Sequence, residues 1–157
     1  MNGSIEIRQA REEDVPELAV LYSDSIRSVG LEYYEPDAIE AWAAFARSDG
    51  FRDFVLQNRT LVAEEKAGIS GFGGIDHSGR IASLYVKPDR NRRRIGSTLL
   101  EALLDVGQAS GVCEFRTEAS EFSRPLFEKF GFEVVGTEVV EREGVRIERY
   151  RMERVDP

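Results

Sequence analysis

The chain has 157 residues, of which 41% are apolar and 32% charged, and it carries a net charge of −8. It is long enough to bury a core and too polar to live in lipid, and its net negative charge opposes the phosphates of any nucleic acid. A single cysteine, Cys113, excludes an internal disulfide, and a single histidine, His77, argues against a histidine-rich metal site or a histidine-based triad. No basic-then-apolar leader opens the sequence, and no stretch approaches the roughly 18 apolar residues of a membrane span. Residues 1–157 are therefore expected to form one soluble cytoplasmic domain with no membrane partner.

In chain order, Ile5-Glu6-Ile7-Arg8 alternates and predicts a short strand. Arg11-Glu12-Glu13-Asp14 loads acid into a helix start, and Val15, Leu18, Ala19, Tyr22 and Ile26 follow at helical spacing up to Gly30. Pro36 opens a second helix with Ile39, Trp42, Ala43 and Ala46 on one face, and Asp49–Leu56 predicts a further short one. The period then changes to that of strands. Thr60–Glu64, Ile69–Asp76 and Arg80–Lys87 are three strands joined by short Gly-containing loops, hence antiparallel. Ile95 to about Ser110 is an amphipathic helix with Ile95, Leu99, Ala102, Leu103 and Val106 buried and Gly111 closing it. Cys113–Glu118 is a strand, with Cys113 as a buried small residue. Phe122–Phe130 is a helix ended by Gly131, with Phe122 among its apolar residues. Phe132–Val140 and Val145–Arg154 form a hairpin through Glu143-Gly144. The order β-α-α-β-β-β-α-β-α-β-β defines a mixed α/β domain.

The segment from Leu84 to Leu100 carries the chemistry. A strand ends at Pro88, a basic loop with Arg90, Arg92, Arg93 and Arg94 follows, and a helix begins with Gly96 expected in its first turn. The first amides of a helix have no partner inside it, and the helix dipole adds to their attraction for anions. Ser97 and Thr98 can add hydroxyl donors. A pyrophosphate fits such a site; a solvated arginine cluster is the plainer alternative. Gly71-Phe72-Gly73-Gly74 lies in a strand and lacks the P-loop lysine, so it reads as close backbone packing or a bulge. His77, in a turn, is expected to be exposed. Trp42 and Phe45 are expected to pack in the core, with the wall of an acceptor pocket as their alternative role, and Tyr33 and Tyr34, between the first two helices, are candidates for contact with a substrate.

Val86-x-Pro88, the basic loop, Ile95-Gly96-Ser97 and Leu99-Leu100 resemble the acetyl-coenzyme A binding motif of the GNAT superfamily of N-acetyltransferases. Ala119 to Phe132, with its Glu128-Lys129-Phe130-Gly131-Phe132 ending, resembles the later motif of the same family. The element order is similar as well. This resemblance implies a GNAT-like acyltransferase fold and acetyl transfer from acetyl-coenzyme A to a primary amine, small-molecule or peptide, by direct attack and without a metal. It implies a cofactor site from Leu84, Tyr85, Val86, Asn91, Arg92, Arg93, Arg94, Ile95, Gly96, Ser97, Thr98, Ser120, Ser123 and Phe127. Amides around Tyr85 and Val86 would hold the thioester. The sequence departs from the pattern at Asn91, where Gln or Arg is usual, and at Arg94, where the first Gly is usual. Phe127 stands where a proton-donating tyrosine is frequent, and Ile81-Ala82-Ser83 holds no acid where a general base is common. Glu118, Ser120 and Ser123 are the remaining catalytic candidates, acting through water. The acid carried outside the basic loop suggests a cationic acceptor. The rival readings are a coenzyme A-binding sensor without turnover and a basic-loop protein that binds phosphate or nucleic acid. The chain is expected to be a monomer or a homodimer.

Overall fold

The structure, a computed structural model, describes residues 4–88 and 92–156 and, for Val29, Arg92 and Arg93, the backbone alone. It runs β1 (Glu6–Gln9), a 3₁₀ turn (Glu12–Asp14), α1 (Val15–Gly30), α2 (Pro36–Ala43), a second 3₁₀ turn (Ala44–Arg47) and α3 (Gly50–Gln57). Then come β2 (Arg59–Glu65), β3 (Gly68–Ile75), β4 (Arg80–Val86), α4 (Arg92–Ala109), β5 (Glu114–Ala119), α5 (Arg124–Lys129), β6 (Glu133–Arg142) and β7 (Val145–Val155). The strands form one seven-stranded sheet in the order β1-β2-β3-β4-β5-β7-β6. Every neighbouring pair is antiparallel except β4 and β5. The mixed α/β order expected from the periodicity is observed, with the further short helix, α3, standing before β2.

Two apolar cores cover the two faces of this sheet. On one face, α4 and α5 bury Ile95, Leu99, Leu103, Phe127 and Phe132 against Ile81, Val86 and Phe115. On the other, α1, α2 and α3 bury Leu18, Tyr22, Ile39, Phe51 and Val55 against Val62 and Phe72. The glycines of β3 set the first contact. A Cβ on Gly71 would stand 3.0 Å from Ile95 and Leu99, and one on Gly73 would stand 2.8 Å from Leu103. The Gly-Phe-Gly-Gly stretch is thus a bed for α4, with a register shift at Gly74, and not a phosphate loop.

Helix ends follow the sequence closely. At the end of α4, Val112 donates its amide to the Gly107 carbonyl and Gly111 donates to Gln108, with Gly111 at φ +90°. The same pattern closes α5, where Phe132 donates to Phe127, Gly131 donates to Glu128, and Gly131 has φ +88°. Both are six-to-one, five-to-two closures that need a left-handed residue, which glycine adopts without penalty.

Three expectations are corrected. α4 begins at Arg92, so Gly96 is its fifth residue and lies beyond the first turn; arginine is a good helix former and carries the helix back through the basic segment. α5 begins at Arg124, with Pro125 in its first turn. Proline is tolerated there and nowhere deeper, so Phe122 falls ahead of the helix and stands 38% exposed. Cys113 is exposed and not buried. It precedes β5, beside a shallow groove lined by Arg154 and Asp156.

Near β1, the Arg8 guanidinium donates to both oxygens of Asp14 at 2.9 and 3.1 Å, and the Arg11 amide donates to Asp14 at 2.7 Å. These bonds, Arg8 first, hold the Asp14 carboxyl below its ordinary value. A carboxyl depressed in the folded state contributes stability above its unfolded value and loses it as pH falls through the folded one. Asp14→Asn should therefore melt below the native protein at pH 7, and the gap should narrow toward pH 3. Melting curves across that range check it; a gap that is constant with pH contradicts the assignment.

Candidate active site

β4 and β5 part company soon after they meet. They pair in parallel only at Arg80↔Arg116 and Ile81↔Thr117. Beyond this point β4 is bonded to β3 alone, through Leu84↔Gly73, Tyr85↔Phe72 and Val86↔Gly71. Pairs in an antiparallel ladder alternate between exchanging both hydrogen bonds and exchanging none. The Lys87 amide donates to the Ser70 carbonyl at 2.8 Å, which fixes the alternation. The amide of Tyr85 therefore faces β3 and is used there. Those of Leu84 and Val86 face the gap where β5 has turned away. Of Tyr85 and Val86, around which the resemblance implies a thioester site, Val86 and not Tyr85 turns its amide to the gap.

A cavity of about 660 Å³ occupies this gap and passes from one face of the sheet to the other. From the α4–α5 side it is lined by Gly96, Pro125, Leu126, Phe127 and Lys129. From the α1–α2 side it is lined by Ser25, Ile26, Gly30, Tyr33, Tyr34 and Trp42. Of the residues singled out in the sequence, Leu84, Tyr85, Val86, Gly96, Glu118, Ser120, Ser123 and Phe127 meet here.

Each has a definite setting. Phe127 is 3% exposed and packs edge to face on Phe132, ring centroids 5.2 Å apart, across the closure of α5. Gly96 is buried, and a Cβ there would stand 3.1 Å from Leu126, so the contact its bareness permits is that of α4 with α5. Glu118 is held by Arg80, whose Nε and Nη2 lie 2.8 and 2.6 Å from Oε1. Ser120 and Ser123 bind one another, with their hydroxyls 2.9 Å apart and the Ser123 amide donating to Ser120 Oγ at 3.0 Å. They fix the turn that leads into α5.

The other members of the predicted set lie around the cavity. Arg94 is exposed on the first turn of α4, and Ile95 is 2% exposed in the core beneath it. The Thr98 hydroxyl donates back to the Arg94 carbonyl at 2.8 Å, so it serves the helix. The Ser97 hydroxyl is buried with no hydrogen-bond partner among the described residues. Arg90 and Asn91 lie outside the described residues, as do the side chains of Arg92 and Arg93. Among the described residues no group of three or more metal-ligating side chains converges.

Sequence reasoning missed Ser25, Ile26, Pro125, Leu126 and Lys129 as cavity walls. Ile26 reads as one more member of the apolar stripe of α1, and nothing in its spacing separates wall from core. Trp42, expected in the core, both packs and lines the cavity, meeting Tyr34 at 5.8 Å and 89°. The Tyr34 hydroxyl accepts the Glu121 amide at 3.0 Å, and burial raises its pKa.

A sheet opened at its parallel pair, with amides turned from β3 toward a cavity there, is the arrangement that the sequence resemblance implies. The chain matches the family described as an acetyltransferase (GNAT) domain over residues 31–154. It belongs to the GNAT acetyltransferases. A search of curated proteins returned no match. Among solved structures, a Rhodopseudomonas palustris protein described as a GCN5-related N-acetyltransferase, aminotransferase class-II, superposes with a TM-score of 0.93 at 26% identity, over 98% of this chain and 96% of that one. PaiA N-acetyltransferase of Thermoplasma acidophilum, in complex with coenzyme A, gives 0.78 at 23% identity, over 98% and 99%. YncA of Salmonella typhimurium, with acetyl-coenzyme A, gives 0.67 at 18% identity, over 98% and 94%.

Proposed function

We propose that this acetyltransferase moves the acetyl group of acetyl-coenzyme A to the nitrogen of a primary amine, by direct attack, with residues 1–157 acting as one domain. The observation that carries this reading is the pair of backbone amides, Leu84 and Val86, facing the gap left by β5. A thioester laid in that gap finds donors already oriented toward the oxygen on which charge develops during attack. Phe127 forms an apolar wall beside it. The N-terminal end of α4 directs its first amides and the positive end of its dipole outward, which suits the pyrophosphate. Because these are main-chain donors, the arginine at position 94 keeps the donor that a glycine would give.

In the transfer, the amine nitrogen bonds to the acetyl carbon and the carbon–sulfur bond breaks. The nitrogen loses a proton to cavity water, and the thiolate takes one from water or from the acceptor's own ammonium. Glu118 is engaged by Arg80, and Ser120 by Ser123. We therefore assign these three to holding the gap open and shaped, with catalysis resting on orientation and carbonyl polarisation. Glu118, the one carboxyl lining the cavity among the described residues, is already bonded to Arg80, and this favours one second reading, a coenzyme A sensor without turnover.

Initial rates of thiol release, with acetyl-coenzyme A and amine varied together, test the proposal. Direct attack predicts intersecting reciprocal plots. Parallel plots would indicate an acetylated enzyme, and coenzyme A binding without amine-dependent thiol release would favour the sensor.

A further inference from the structure

The geometry points to an acceptor that carries a single amine on an aromatic or apolar body, an arylalkylamine in chemical class, seated in the half of the cavity that opens on the α1–α2 face. This inference rests on the transferase reading and names the substrate class for its second site. That half of the cavity is walled by Ile26, Tyr33, Tyr34, Trp42, Tyr85 and Phe122. Two of these rings stand at its mouth on different elements. Tyr33, from the α1–α2 connection, is 45% exposed, and Phe122, ahead of α5, is 38% exposed. Their centroids lie 6.2 Å apart at 56°. Such faces and edges attract a flat ring, and they also attract an ammonium before it loses its proton.

Charge narrows the class further. Apart from tyrosines, the ionisable side chains lining the cavity among the described residues are Glu118 and Lys129. Glu118 is bonded to Arg80, and Lys129 belongs to α5 on the opposite face. The acid that dominates the chain's composition therefore does not line this site. A polyamine would bring a second ammonium into a half that no free carboxylate lines, Glu121 and Glu148 acting on Tyr34 without themselves lining it. An acidic amino acid would bring carboxylates into a half that no cation lines, Arg142 and Arg149 acting on Tyr85 without themselves lining it. Either costs desolvation with no paired charge in the wall itself. A monoamine avoids both costs, and the apolar surroundings favour its neutral, nucleophilic form.

Trp42 is the chain's single tryptophan and lies in this wall, so its fluorescence reports occupancy without turnover. The test titrates 2-phenylethylamine, spermidine and glutamate against the protein with coenzyme A present and absent, and measures thiol release from acetyl-coenzyme A with the same three amines. The expected result is saturation of the Trp42 signal by 2-phenylethylamine at a concentration at least tenfold below either competitor, with the same order in turnover. Tyr33→Ala and Phe122→Ala remove exposed rings and should weaken 2-phenylethylamine tenfold or more, with coenzyme A affinity unchanged within twofold. Equal or tighter response to spermidine or glutamate, no response of Trp42 to 2-phenylethylamine, or unchanged affinity in both variants would overturn the inference. Failure of the transferase reading has a different signature: 2-phenylethylamine titrates Trp42, yet no amine releases thiol.

Discussion

Phe127→Ala is expected to destabilise the fold by roughly 3–5 kcal/mol, the range for removing a buried phenyl ring. For a chain of this size, that lowers the melting temperature on the order of 10 °C. The ring is 3% exposed and belongs to the α4–α5 core. It also forms half of the apolar contact that accompanies the closure of α5, against Phe132 at 5.2 Å. Loss of this ring therefore loosens both the core and the short helix whose first turn places Leu126 at the cavity. Phe127→Tyr keeps the ring and should leave acetyl transfer similar, because position 127 carries no proton in this account. Thermal melts and thiol-release rates of the two variants check the pair. A Phe127→Ala protein with native melting temperature and full activity would remove Phe127 from the wall.

Val86→Pro should lower kcat by about 10²–10³-fold, about 2.7–4 kcal/mol, the usual effect of deleting one oxyanion donor. Proline is normally excluded from central strands because it cannot donate to the ladder. At Val86 the amide faces the gap and not β3, so the substitution removes a donor to the thioester while sparing the β3–β4 bonds. Val86→Ala keeps the amide and trims the side chain, and it separates loss of the donor from loss of packing. The account predicts near-native kcat in Val86→Ala and the large loss in Val86→Pro, with both proteins still folded by melting. Equal kcat in the two would move the polarising donor elsewhere.

Much of this architecture was legible because local signals agreed. The alternation of β2, β3 and β4, the stripe of α4 and the glycines at 111 and 131 each determine their element from a few residues. The Glu143-Gly144 turn is equally explicit, with positive φ at both residues, 52° and 78°. The start of α5 was also legible, since Pro125 allows only the first turn, but the apolar spacing of Phe122 with Leu126 drew the expected helix too far back. The site was legible in part. The sequence placed Val86, Gly96 and Phe127 near one another through family resemblance, yet the splay is a property of pairing between β4 and β5. Neither strand's own pattern shows where two strands stop touching. The parity that turns Leu84 and Val86, and not Tyr85, toward the gap depends on the register with β3 in the same way. The aromatic wall was legible at Tyr33 and Tyr34 and ambiguous elsewhere, because Trp42 and Tyr85 satisfy the requirements of a core while also facing a cavity.

Hydrogen exchange, read residue by residue, tests the orientation of the Leu84 and Val86 amides most directly. In the free protein the amides of Leu84 and Val86 should exchange quickly, whereas those of Tyr85 and Lys87, bonded to β3, should be protected. On addition of acetyl-coenzyme A, Leu84, Val86 or both should become protected, with Tyr85 and Lys87 unchanged. Protection of Leu84 and Val86 already in the free protein, or exchange at both that acetyl-coenzyme A leaves untouched, would contradict the account.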